Sequence, residues 1–264
     1  MDIQHFRKSA AALGPYFSRM AAETSPAGLR LLGMQAEGAM LAATGGVNTH
    51  KGAIWTMGLL CAAAGALPEH ALADAETVCD EAARIAAAII GLAPMERKGP
   101  RGIQTGDASG AETPLTRGEK ARARYGLRSA RDEAAAGFPS IRSLALPLAR
   151  SLEEAMTDED ETVISVLLAV MAHADDTCIV ARGGLEALLR ARTSAERVLD
   201  AGGPFSARGL PLYDRMRREF ATARISPGGS ADLCAATLFL AGLERQQASS
   251  RTLFQPRRRV MLTP

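Results

Sequence analysis

Aromatic residues are scarce: seven Phe, three Tyr and a single Trp in 264 residues, 4% of the chain. Strand-built cores draw on Val, Ile, Tyr and Phe, so this poverty argues against a β-rich core. It favours Ala-rich helices packed with their backbones close together. Cysteine is sparse as well. Cys61, Cys79, Cys178 and Cys234 show no CxxC spacing, and no HxxxH pair or dense His/Cys set accompanies them. That excludes a disulfide framework and a structural zinc site, and leaves buried thiols in a reducing cytoplasm. Neither sign of charge dominates. The 31 Lys and Arg stand against 29 Asp and Glu, a net +2. A general nucleic-acid binder is thereby excluded, although a local phosphate pocket is not. Long hydrophobic runs are missing too. The longest charge-free stretch, Gly52 to Pro68, contains three glycines and falls short of the roughly 18 apolar residues that cross a bilayer. The opening MDIQHFRKSAA has no apolar signal core. A cytoplasmic protein with no membrane and no nucleic-acid partner is expected.

What is present is helical text. Apolar residues recur with helical period near 3–23, 29–43, 51–65, 70–91, 119–135, 141–155, 159–174, 183–199, 206–222 and 230–246. Thr157 before Asp158, Glu159 and Asp160 signals a helix start. The run Val163–Met171 is apolar on every side, as befits a central buried helix. No stretch alternates with period two. The expectation is an all-α fold, a single compact domain of about ten helices over 1–264. Its main interruption is the Gly/Pro-rich segment 91–118, expected to be a loop or lid, and 247–264 is expected to be a flexible, partly basic tail.

Four places break this text with glycine and polar residues. In Thr44-Gly-Gly-Val-Asn-Thr-His-Lys-Gly52, Asn48 or Thr49 can cap the following helix, while His50 and Lys51 offer a proton donor and a positive charge. A plain capped turn is the simpler alternative. In Gly118–Glu133, ending at Gly137-Phe138-Pro139, Arg124, Arg128 and Arg131 fall at i, i+4 and i+7, which places them on one helical face. Such a stripe suits polyphosphate or, equally, water. The adjacent carboxylates Asp175 and Asp176 end the most apolar helix and are followed by Arg182-Gly-Gly184. Charges beside buried text bind a cation or do acid–base work, and Mg²⁺ carrying substrate phosphates fits better than zinc. In Ser226-Pro-Gly-Gly-Ser-Ala-Asp232, Gly228, Gly229 and Ser230 can wrap a phosphate at a helix start. Asp232 lies in that first turn, where a helix-dipole partner is the simpler reading. These features point to nucleotide or polyphosphate chemistry and no further.

In this order the four motifs resemble the triphosphoribosyl-dephospho-coenzyme A synthase family, over about residues 2–245. The wording around Leu41–Gly65 is more similar to the malonate decarboxylase branch than to the citrate lyase branch. The resemblance implies a pentosyltransferase. It takes ATP and 3′-dephospho-CoA, joins the 5-triphosphoribosyl group to the acceptor 2′-hydroxyl and releases adenine. A separate transferase then passes the product to an acyl carrier protein. The change from a β to an α ribosyl linkage implies one inverting displacement with an oxocarbenium-like transition state.

On that resemblance, Asp175 and Asp176 are expected to hold Mg²⁺ and triphosphate, with one of them or Glu133 as base and His50 assisting adenine departure. Lys51, Arg128, Arg131 and Arg182 are expected to hold phosphates. Asn48, Thr49 and Asp232 join the substrate site, and Gly228, Gly229 and Ser230 cradle a phosphate. Two departures stand out. Family members carry a further segment before the position of Met1, with a Pro-Lys-Pro-Gly-like motif. Cys178 stands where the family pattern has Asn. The alternatives are an N-glycoside or ADP-ribose hydrolase, and a catalytically silent dephospho-CoA-binding protein without the leading segment.

Overall fold

The computed structural model describes residues 2–92 and 117–254. The segment 93–116, and with it nearly all of the expected lid, lies outside the described residues, as does the chain beyond 254. Within them the chain is all helix: α1 (Ile3–Ala21), α2 (Pro26–Ala43), α3 (Lys51–Ala66), α4 (Ala75–Ile90), α5 (Arg117–Tyr125), α6 (Ala130–Ala135), α7 (Leu146–Glu154), α8 (Glu159–His173), α9 (Thr177–Asp200), α10 (Leu210–Ala223) and α11 (Gly228–Phe254). A 3-10 turn, Glu69–Ala73, precedes α4, and a π turn, Ile141–Ala145, leads into α7. No strand occurs among the described residues.

Local chemistry explains most of these boundaries. Ser25 caps α2 ahead of Pro26, whose missing N–H costs nothing at a first helical position. Asp74 caps α4, and Asp158 caps α8 by accepting from Asp160 and Glu161, one residue beyond the Thr157 that the sequence suggested. The expected helix over 119–135 is two helices. Gly126 adopts φ +69°, a left-handed conformation that stops α5, and Ser129 starts α6 with a capping box to Asp132. Arg124 and Arg128 therefore do not share one helical face with Arg131. At the other end, α11 runs on to Phe254, so residues 247–254 continue a helix.

The low aromatic content is expressed as close helix packing. A Cβ on Gly65 of α3 would lie 1.7 Å from the Ala21 carbonyl oxygen at the end of α1, and one on Gly58 would meet Met20 at 2.7 Å. Two apolar cores result. One gathers Leu13, Met40, Leu60, Val78, Phe138, Leu146, Val166 and Leu240. The other gathers Leu127, Leu168, Met171, Ile179, Leu188, Val198 and Met216. Helix α8 is the wall between them, as its apolar run suggested: Val166 and Val170 face the first core, Leu168 and Met171 the second. No single helix among the described residues is long and apolar enough to cross a membrane.

Candidate active site

Where the two cores meet, the loop before α6, the α8–α9 junction and the first turn of α11 enclose a cleft of about 470 Å³, including its open mouth. Arg128, Ser129, Ala130 and Glu133 line one side. Ala174, Asp175, Asp176 and Thr177 line the second, and Gly229, Asp232 and Leu233 the third, with Thr56 of α3 behind. Motifs far apart in sequence thus share one site. The indole N–H of Trp55 ties α3 to this wall by donating to the Ala130 carbonyl at 3.2 Å.

Asp176 is its most tightly held member. Its carboxylate is 1% exposed. One oxygen accepts from the backbone N–H groups of Cys178 (2.8 Å) and Ile179 (3.1 Å), which makes Asp176 the N-cap of α9. The other accepts from both the N–H and the hydroxyl of Ser230, each at 2.8 Å, at the start of α11. One anion therefore caps two helices, where both macrodipoles favour negative charge. The α11 start approaches this closely because it is built of glycine. A Cβ on Gly229 would sit 3.3 Å from the Asp176 carboxylate, and one on Gly228 would sit 3.0 Å from Cys178 Sγ.

Asp175, by contrast, turns toward the cleft. It accepts from the Arg128 N–H at 2.7 Å and pairs with the Arg192 guanidinium, which also reaches the carbonyls of His173 and Ala174. Glu133 accepts from the Ser140 N–H at 2.7 Å through one oxygen, and its other oxygen lies 3.6 Å from Arg128. Asp232 is half-buried and packs on the first turn of α3, where a Cβ on Gly52 would lie 1.9 Å from its Oδ2. Burial pushes its carboxyl up to about 7, reinforced by the neighbouring Asp176 and moderated by the Ala53 N–H. Burial likewise raises the Cys178 thiol, with Asp176 and Asp232 adding to the effect, so the group standing in the place of Asn is a neutral one.

Other expected site residues lie away from the cleft lining. His50 turns to α1, with Nδ1 2.8 Å from the hydroxyl of fully buried Ser9 and its ring edge-on to Phe6; burial lowers its pKa. Asn48 accepts from the Lys51 N–H at 3.2 Å, the Thr49 hydroxyl is buried with no partner, and Lys51 Nζ pairs with Glu37. Arg131 is exposed on α6. Arg182 donates to the carbonyls of Cys178 (3.2 Å) and Ser226 (3.5 Å), which latches the start of α9 to the loop before α11. Gly228 and Ser230 serve the Asp176 junction. The aspartate pair also does not fit a directly held Mg²⁺. Both oxygens of Asp176 are filled by protein donors, and no group of three or more His, Cys, Asp or Glu suited to a metal occurs among the described residues.

Arg192 is the site residue that sequence reasoning missed. It lies in α9 beyond a kink at Gly184, and no spacing rule links it to Asp175. Ser129 was findable, because Ser129-Ala-Arg-Asp132 has capping-box spacing.

Two measurements test this geometry. Asp176→Asn puts an amide NH₂ against N–H donors and should cost about 2–3 kcal/mol in urea unfolding. Its loss should be less than additive with that of Ser230→Ala, and simple additivity would sever the proposed junction. For Asp232 the folded state holds the proton more tightly than the unfolded chain, whose carboxyl titrates near 3.8. The associated stability is present at low pH and is lost as pH rises from that value through about 7. Asp232→Asn should therefore exceed the wild type in thermal stability at about pH 8, by an amount on the order of a few kcal/mol, and converge with it near pH 4. A difference independent of pH would contradict this.

Comparison with known proteins agrees with these motifs. The family model for ATP:dephospho-CoA triphosphoribosyl transferase matches residues 1–251. A probable 2-(5″-triphosphoribosyl)-3′-dephosphocoenzyme-A synthase of Azotobacter vinelandii is 41% identical over 253 residues, covering 92% of this chain and 80% of the relative. The 2-(5″-triphosphoribosyl)-3′-dephosphocoenzyme-A synthase of Klebsiella pneumoniae is 37% identical over 251 residues, covering 91% and 79%. A probable synthase of the same description from Pseudomonas syringae is 37% identical over 245 residues, covering 89% and 77%. No solved structure matches the chain. With a family model spanning nearly its whole length, the chain belongs to the ATP:dephospho-CoA triphosphoribosyl transferase family.

Proposed function

We propose that this chain transfers the 5-triphosphoribosyl group of ATP to the 2′-hydroxyl of 3′-dephospho-CoA and releases adenine. The observation that carries the reading is the meeting of Arg128, Glu133, Asp175 and Asp232 in one cleft, from three of the motifs that carry the family likeness. The lining holds four carboxyl groups, those of Glu133, Asp175, Asp176 and Asp232, against the single cation Arg128, with Arg192 behind Asp175. Such a surface suits positive charge developing at the ribose C1 rather than a triphosphate. The reacting ribose therefore sits in the cleft. The triphosphate is then left to cations beyond the lining carboxyls, for which Arg128 of the lining and the exposed Arg131 and Arg182 are the candidates.

Glu133 suits the role of base for the attacking hydroxyl. The Ser140 N–H fixes one of its oxygens, and the other faces the cleft beside Arg128. Attack from that side, with adenine leaving opposite, inverts C1. No step is routed through a protein-held Mg²⁺, since the aspartate pair does not fit one. The product goes to a separate transferase that loads an acyl carrier protein, with malonate decarboxylase as the destination read from Leu41–Gly65. The reaction is placed in the cytoplasm on this reading.

Mass spectrometry of the purified chain with ATP and 3′-dephospho-CoA should show the triphosphoribosyl adduct and adenine in equal amounts. Adenine released without the acceptor would instead indicate the hydrolase reading, and binding without turnover the silent one. Glu133→Gln should lower kcat by about 10²–10⁴-fold with a much smaller change in KM, as steady-state kinetics would show.

A further inference from the structure

We infer that Asp232 is the proton donor to the departing adenine. This rests on the transferase reading and adds to it a residue whose first-turn position suggested only a dipole partner or a substrate contact. Three of the four cleft carboxyls are held by protein donors. Asp176 is surrounded by donors from two helix starts, Asp175 meets Arg192 and the Arg128 N–H, and Glu133 meets the Ser140 N–H and Arg128. Asp232 has no cationic partner among the described residues, and only the Ala53 N–H favours its charged form.

Every element around Asp232 contributes to this state. From α9 it faces the Asp176 carboxylate and the neutral Cys178 thiol, which both disfavour or fail to offset its charge. Asp175, just before α9, and Glu133 of α6 add two more carboxylates on the cleft walls, with Arg128 between them. From α3, the nearby Lys51 ammonium is spent on Glu37. The carboxyl lies against the first turn of α3, in space that only a glycine at position 52 leaves open, and it accepts from the Ala53 N–H there. Asp232 is thus the cleft carboxyl suited to carry a proton near neutrality, and burial that pushes it up to about 7 agrees with this.

The step balances without another reactant. The bond between ribose C1 and adenine N9 breaks, and its electron pair goes to the purine. Asp232 gives its proton to a ring nitrogen of that purine, N7 or N3, so adenine leaves neutral. The 2′-hydroxyl oxygen of the acceptor bonds to C1 and its proton passes to Glu133. Asp232 ends as a carboxylate and Glu133 as an acid, and exchange with water restores both.

The test pairs Asp232→Asn with ATP analogues that lack one ring nitrogen each, 7-deaza-ATP and 3-deaza-ATP. With ATP, the variant should lose about 10²–10⁴-fold in kcat while KM for both substrates changes far less. The wild type should lose comparably on one analogue, and on that analogue the variant should lose little more, since residue and ring atom share one proton. The wild-type kcat should fall as pH rises through the Asp232 range, and that limb should vanish in the variant. Unchanged kcat in Asp232→Asn, or losses that add with both analogues, would overturn the assignment while leaving the transferase reading intact. A wild type that makes no adduct would instead sink the transferase reading, and this inference with it. Should Asp232→Asn not fold, Gly52→Ala displaces the carboxyl without removing it. A fall in kcat there with a displaced pH limb supports the role, and unchanged kinetics refute it.

Discussion

Everything at the cleft depends on one carboxylate that caps two helices. Asp176 turns the positive ends of α9 and α11 toward the same buried point, and four donors hold it there. Charge-assisted hydrogen bonds of this kind are each worth about 1.5–3 kcal/mol, so the junction is stiff. Its stiffness fixes Asp175, one residue earlier, and Asp232, two residues after Ser230. The close approach explains the glycines at 228 and 229 without a ligand. A loop that looks made for phosphate is made first for a protein carboxylate.

The electrostatics of the site follow from this arrangement. Capping two helices requires an anion, and that anion lies close enough to Asp232 to oppose its ionisation. Burial first, and then the same charge that builds the scaffold, raises the proton affinity of Asp232. Arg192 stabilises Asp175 from behind, outside the cleft lining, so the lining itself stays rich in negative charge. On the proposed reading, a cationic ribosyl centre is favoured there over a bare triphosphate, which separates the reacting end of the nucleotide from its phosphates.

The helical architecture was legible from periodicity, because packing in this chain follows amphipathic stripes and one fully apolar run. The clustering of motifs at residues 128–133, 175–177 and 229–232 was legible as well, through local breaks in helical text. Pairwise roles were not. The spacing of Arg124, Arg128 and Arg131 presumed a continuous helix, yet the left-handed Gly126 and the Ser129 cap divide it. His50 looked like a proton donor because it sits beside glycines, whereas the fold turns it into α1 against Ser9. Arg192 was invisible, since its link to Asp175 exists only after α9 has packed on α8. Local sequence marks where backbone rules are broken; which side chains meet there is decided by the tertiary fold.

Helix α8 divides the apolar interior into two separately packed bodies, and the cleft opens along the seam between them. The two blocks meet there across polar contacts, chief among them the four donors on Asp176. On the proposed reading, the position of the reacting nucleotide thus follows from how hydrocarbon is partitioned in the molecule.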